Sequence, residues 1–342
     1  MIGAWSFLVA AAAIVLVLWQ PAFVRRRWLL LVTLAVVGFW LNQARSEFGL
    51  AADATTYVAA GERLLRHGDI YVMRAGDRPV LWGTPYIPAP SLYPPPAALA
   101  ATPLALLGDT GVWLVWLLHG AVTLWVVYDA YRHGLAILAV ALLPFVAVQL
   151  VVGNINGVVA AATILAWRHR DSALAGVALG LLGAVKIVPL AVVGFWVITR
   201  RWRPAAYAVG AAILATGVTL VVVGPAPFEE WVRISLSVAP APTSIQALGV
   251  PWPIVLVVGL GALFLARSDE RVAYAVSVLV SMFVTPAFNF TTTVLFLAAA
   301  APFGHRPGEA TPKAAGLGRN PRAHDRSDWA GADRSDAGGA GP

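Results

Sequence analysis

Between Ile2 and Pro302 the sequence is a succession of apolar stretches, many of them near the roughly 17 to 25 residues that carry a helix across a bilayer. Inside hydrocarbon every backbone N–H and C=O needs an internal partner, which only helices or a closed barrel provide. The apolar runs are long and do not alternate with polar residues, so they select helices. Apolar residues make up 59% of the chain and charged residues 12%, more apolar and less charged than a soluble core can absorb. The expectation is an all-α polytopic membrane domain over 1–303, followed by a Gly-, Ala-, Pro- and Arg-rich tail, 304–342, whose composition predicts disorder. The first run, Ile2 to Trp19, has no preceding basic region and no small-residue cleavage site, so it is expected to remain as a helix.

Short basic clusters punctuate the apolar runs: Arg25-Arg26-Arg27, Arg132-His133, Arg168-His169-Arg170, Arg200-Arg201-Trp202-Arg203, and Arg267 to Arg271. The positive-inside rule assigns them all to the cytoplasm, the tail with them. They also account for the pI of 10.1 without nucleic acid as a partner. Helices near 2–19, 28–45, 110–128, 135–151, 155–167, 172–185, 187–199, 204–223, 252–267, 272–286 and 288–301 then thread the membrane, about eleven spans with the N-terminus outside. The same threading puts a long polar loop, 46–108, on the outer face, with Gly153 to Asn156, Lys186, Gly224 to Pro251 and Pro286 to Asn289 beside it. From Arg45 to Pro96 five basic and five acidic side chains balance, unlike a cytoplasmic loop.

Within that loop Asp53 opens a helix-like run reaching Arg66, with Val58, Gly61, Leu64 and Leu65 on one face and a stop at His67-Gly68. One reading makes Asp53 the helix N-cap. The other makes it a general base held at the bilayer surface, where it takes the proton of an acceptor hydroxyl. Ser91-Leu92-Tyr93-Pro94-Pro95-Pro96 then gives a rigid lead-in to Ala97–Leu107, too short to cross and suited to the interface. Tyr93 is a candidate for lining a sugar pocket.

Polar residues in apolar surroundings mark the remaining candidates. Lys186 stands three positions before Pro189, at a helix break, where its ammonium either reaches water or offsets the charge of a lipid phosphate. Asn154 and Asn156 sit in a Gly153-to-Gly157 turn, and amides hold sugar hydroxyls as readily as they form turns. Gln149 lies just inside the preceding helix, and His119, inside Val112 to Val127, is expected to make an interhelical hydrogen bond. With no cysteine and no D-x-D pair, neither a thiolate-metal centre nor a nucleotide-sugar metal site is expected, and no cofactor is implied.

Taken in order, Asp53 with Tyr57, Gly68-Asp69-Ile70-Tyr71, Tyr93-Pro94-Pro95, Gly153-Asn154-Ile155-Asn156, Lys186-Ile187-Val188-Pro189 and Arg200-Arg201-Trp202-Arg203 resemble glycosyltransferase family 87 over about two thirds of the chain. The resemblance implies a GT-C fold and transfer of mannose, or of a related sugar such as arabinose, from a polyprenyl phosphate donor to a lipid-linked glycan acceptor. The reaction would invert a beta-linked donor to an alpha-linked product on the outer face of the plasma membrane. It implies Asp53 as base and Lys186 near the donor phosphate, with Asn154 and Asn156 shaping the pocket; Tyr57, Tyr93, Gln149, Gln246 and Asn289 are further candidates around the sugar or acceptor. Two departures stand out. Where relatives carry an Asn-Gln-Ser element this chain has Thr243-Ser244-Ile245-Gln246, and Thr285 to Thr291 lacks the Trp and His that often follow a Ser/Thr-Pro pair. The competing readings are a lipid or glycolipid transporter, which predicts repeated broken helices at the midplane, and a catalytically inactive relative that acts as an assembly partner.

Overall fold

A computed structural model describes residues 38–39, 41–42, 49–72, 92–237, 239, 241, 244–285 and 289–304. The expected helix 2–19, most of 28–45 and the tail beyond Gly304 lie outside the described residues. Those that are described are helical throughout their regular structure: α1 (Ala52–His67), α2 (Pro95–Ala105), α3 (Asp109–Arg132), α4 (Ala136–Ala141), α5 (Leu143–Val152), α6 (Asn156–Arg168), α7 (Ala173–Val185), α8 (Ala191–Ile198), α9 (Trp202–Val223), α10 (Ala226–Ser237), α11 (Trp252–Leu265), α12 (Glu270–Val284) and α13 (Leu295–Ala300), with short 3₁₀ turns between several of them.

The helices begin and end where the chemistry of the sequence demands. α1 runs one residue beyond the expected span at each end and stops on Gly68 at φ 72°, a left-handed conformation that glycine adopts without strain. The expected single helix over 135–151 is two, α4 and α5, because Pro144 supplies no backbone N–H at the start of α5. Pro189 likewise converts the first turn of the expected helix 187–199 into a 3₁₀ turn, Val188–Leu190. Among the described residues α3 and α9 are each long and apolar enough to cross a membrane. α6 and α7, thirteen residues each, are apolar but cover only about 20 Å.

Packing follows the rule for apolar surroundings, where helices associate through close contact rather than water exclusion. A Cβ on Gly176 would lie 2.3 Å from the carbonyl oxygen of Pro204, and one on Gly180 would lie 2.1 Å from that of Ala208, so α7 and α9 touch backbone to backbone only because these two positions are glycine. The main core gathers Ile164, Leu179, Phe195, Trp196, Tyr274 and Met282 from α6, α7, α8 and α12. Phe195 meets Tyr274 edge to face at 5.0 Å, and the Tyr274 hydroxyl donates to the carbonyl of Thr163.

Two sets of polar groups occupy opposite ends of this packing. At the C-terminal ends of α3 and α6, Arg168 pairs with Asp129 at 2.7 Å and Arg170 with Glu270 at 3.3 Å, and Arg201 joins Glu270 at 2.8 Å to Asp171 at 2.7 Å. At the N-terminal end of α6, roughly 18 Å away along its axis, lies the second set, which includes the candidates named from the sequence.

Candidate active site

The site is built on the break between α5 and α6. These helices meet at 118° across Gly153, Asn154 and Ile155, and Gly153 turns the chain at φ 69°. A bend among apolar helices strands carbonyls that would otherwise lie unpaired, and four of those at this break find donors from outside α5 or from its side chains. Trp116 Nε1 donates to Leu150 O at 2.8 Å, the backbone N–H of Ala51 to Val151 O at 2.8 Å, and the Gln149 side chain to Asn154 O. His119 closes the set from α3, with Nδ1 2.8 Å from Gly153 O, the interhelical bond expected of it.

The bond from Ala51 also sets the register of α1. Asp53 sits inside the first turn, not at its cap: the N-cap is Ala51, no side chain caps it, and the Asp53 carboxylate instead accepts a 2.6 Å bond from Asn154 Nδ2. The capping reading therefore gives way to a tertiary contact across 101 residues. Asn154 is oriented unambiguously, because its Oδ1 accepts the N–H of Asn156 at 2.8 Å, which leaves its amide N–H₂ for Asp53.

Asn156 carries the network onward. Its Oδ1 accepts from Lys186 Nζ at 2.7 Å, and its Nδ2 donates to Thr291 Oγ1 at 3.0 Å, which donates in turn to Asn289 Oδ1 at 2.7 Å. Asn289 caps the turn Phe290–Val294 in a capping box with Thr292. The Lys186 ammonium also stands 5.2 Å above the ring of Tyr93, whose hydroxyl bonds that of Tyr57 at 2.9 Å. Tyr57 accepts the N–H of Ile155, and Tyr71 donates to Tyr93 O at 2.7 Å.

Eight residues named from the sequence thus converge: Asp53, Tyr57, Tyr93, Gln149, Asn154, Asn156, Lys186 and Asn289 share one hydrogen-bonded cluster. Gln246 does not join it; its Nε2 donates to Phe283 O and Val284 O at the end of α12. The cluster adds Thr291, which the sequence reading passed over. The run Asn289-Phe290-Thr291-Thr292-Thr293 carried the signal, an Asn followed by hydroxyl donors at N-cap spacing.

The electrostatics suit proton transfer beside an anion. Burial pushes the Asp53 carboxyl above its usual range, while the Asn154 bond and the Lys186 charge pull it back. A carboxylate that accepts and an ammonium that donates are bridged by two amides, with neither ion spent on the other in a direct bond.

The model of glycosyltransferase family 87 matches residues 92–306, well over half of the chain. The chain belongs to glycosyltransferase family 87. It is therefore a glycosyltransferase, and its apolar helices fit a membrane-bound member of the family. The matched segment of this family 87 chain contains Tyr93, Gln149, Asn154, Asn156, Lys186 and Asn289; Asp53 and Tyr57 lie before it and enter the cluster by tertiary contact. No curated protein and no solved structure matches the chain.

Proposed function

We propose that this glycosyltransferase moves a sugar, mannose first, from a polyprenyl phosphate to a lipid-linked glycan on the outer face of the plasma membrane. The observation that carries the reading is the joining of Asp53 to Lys186 through Asn154 and Asn156. In the proposed reaction Asp53 takes the proton of the acceptor hydroxyl as its oxygen attacks the anomeric carbon from the face opposite the phosphate. The bond from that carbon to the phosphate oxygen breaks, the electron pair stays with the polyprenyl phosphate, and Lys186 offsets the added charge. Attack from the opposite face turns a beta-linked donor into an alpha-linked product.

The sidedness of the polar groups supports a topology of about eleven spans with a GT-C-like arrangement and an outer loop over 46–108, because the described Arg168, Arg170 and Arg201 gather at the C-terminal end of α6, remote from Asp53 and Lys186. A transporter would need paired broken helices, and among the described residues one apolar pair, α5 and α6, is broken in that way.

Purified protein incubated with polyprenyl phosphate mannose and a lipid-linked mannoside tests the proposal, with products read by mass spectrometry. Wild type transfers the sugar and Asp53→Asn, still folded, does not. Turnover by Asp53→Asn equal to wild type removes the base assignment. An inert wild type leaves the assembly-partner reading in its place.

A further inference from the structure

His119 is a polar side chain of this neighbourhood that the transfer scheme leaves unused. It is buried near the middle of α3, 8% exposed, with Nδ1 on the carbonyl of the residue preceding Asn154. A carbonyl only accepts, so Nδ1 carries the proton of that bond, and the neutral ring then offers Nε2 as an acceptor. Nε2 has no hydrogen-bond partner among the described residues. The ring stands edge-on to Tyr57 at 5.8 Å between centroids, and the Lys186 ammonium lies within electrostatic reach of it. An acceptor of fixed tautomer, left without a donor beside the reacting groups, matches a ligand rich in hydroxyls.

We infer that His119 is a substrate-binding residue of this site and accepts at Nε2 a hydrogen bond from a hydroxyl of the transferred sugar or its acceptor. The inference rests on the glycosyl-transfer reading above. A histidine with only a structural role needs its Nδ1 bond alone, which together with the Trp116 bond holds the α5–α6 bend against α3. Two variants separate these roles. In His119→Asn the amide nitrogen falls near the Nδ1 position and keeps a donor for Gly153 O, while nothing reaches the Nε2 position. In His119→Gln the longer amide reaches the Nε2 position and gives up the Nδ1 donor.

The experiment compares wild type, both variants and Asp53→Asn in transfer from polyprenyl phosphate mannose to a lipid-linked mannoside, together with thermal unfolding and a series of donors and acceptors lacking one hydroxyl each. His119→Asn should unfold at the wild-type temperature yet lose about three- to tenfold in kcat/KM, the worth of one substrate hydrogen bond. One deoxy substrate should cost wild type the same factor and cost His119→Asn nothing more. His119→Gln should keep most of the turnover and unfold at a lower temperature. Full activity in His119→Asn overturns the inference, as does a wild type that loses less than about threefold on every deoxy substrate, a result that needs no variant to fold. If wild type transfers no sugar at all, the transfer reading fails and takes this inference with it. An active wild type beside an unaffected His119→Asn removes His119 alone.

Discussion

Replacing Asn156 by Asp would put a carboxylate where the Lys186 ammonium now meets a neutral amide oxygen at 2.7 Å. In the present arrangement the full positive charge of Lys186 remains available to a ligand, because its partner carries none. A phosphate oxygen bonded to the same ammonium along another N–H would lie about 5 Å from the position of Asn156 Oδ1. At an effective dielectric of about 20, two like charges at that separation repel by roughly 3 kcal/mol, a factor on the order of 100 in affinity. Asn156→Asp should therefore raise the KM for polyprenyl phosphate mannose by about two orders of magnitude at saturating acceptor, and weaken equilibrium binding of the sugar-free polyprenyl phosphate by a similar factor. The acceptor KM should stay near its wild-type value, and the new ion pair should hold the unfolding temperature within a few degrees. Unchanged donor affinity in a folded Asn156→Asp protein would refute the placement of the donor phosphate at Lys186.

The pH profile gives a second test. Asp53 works as a base only when ionised, and burial holds its carboxyl above the ordinary range, so kcat/KM should rise with pH along an acid limb displaced upward from the roughly 4 of a free aspartate. Asn154→Leu, which removes a bond favouring the charged form, should move that limb higher; a limb that stays or moves down contradicts the assignment. For stability the sign is opposite: the raised folded value makes Asp53 a stabilising contribution at low pH, lost as pH climbs from the unfolded carboxyl value through the folded one, which acid-to-neutral thermal scans would detect. Gly157→Ala would place a Cβ 1.9 Å from Thr123 Oγ1, so α6 must move off α3; a loss of about 1 to 3 kcal/mol in unfolding and a sharp fall in transfer are expected, and wild-type behaviour in both would show that this contact gives way freely. At the far end of the bundle, Asp129→Asn should cost about 1 to 2 kcal/mol by thermal unfolding, because Arg168 is only partly buried, and should leave the donor KM unchanged.

Much of this arrangement was readable in advance. Apolar run lengths and basic clusters defined most helices, and the turn formers at Gly68 and Gly153 marked their ends. Sidedness inferred from charge alone grouped Asp53, Asn154, Lys186 and Asn289, and the structure brings the four together. What escaped was set by tertiary contacts or by a single backbone atom. Pro144 divides an otherwise continuous apolar run because one N–H is missing. Asp53 looked like a cap because capping is local, whereas its partner, Asn154, comes from the bend between α5 and α6. Thr291 was hidden by its ordinary place in a polar turn and gains meaning only when Asn156 arrives from α6.

The same atoms that make the bend tolerable also orient the reacting groups. α6 and α7 are too short to match α3, so their inner ends, and the carbonyls of the break, lie level with His119, roughly 15 Å along α3 from Asp109. Buried among apolar helices a stranded carbonyl is costly, and one of the donors that answers it is the backbone N–H of Ala51. Ala51 holds φ 58°, a left-handed conformation that costs a residue with a Cβ about 1 to 2 kcal/mol. The bond to Val151 O fixes the start of α1 against α5 in that conformation, and two residues later the chain presents Asp53 to Asn154. The strain thus sits immediately before the candidate base, and the contact that sustains it also completes the backbone of the break. Docking of α1 and assembly of the carboxylate–amide–ammonium cluster are for that reason one event, even though the segment shared most clearly with the family begins only at Leu92.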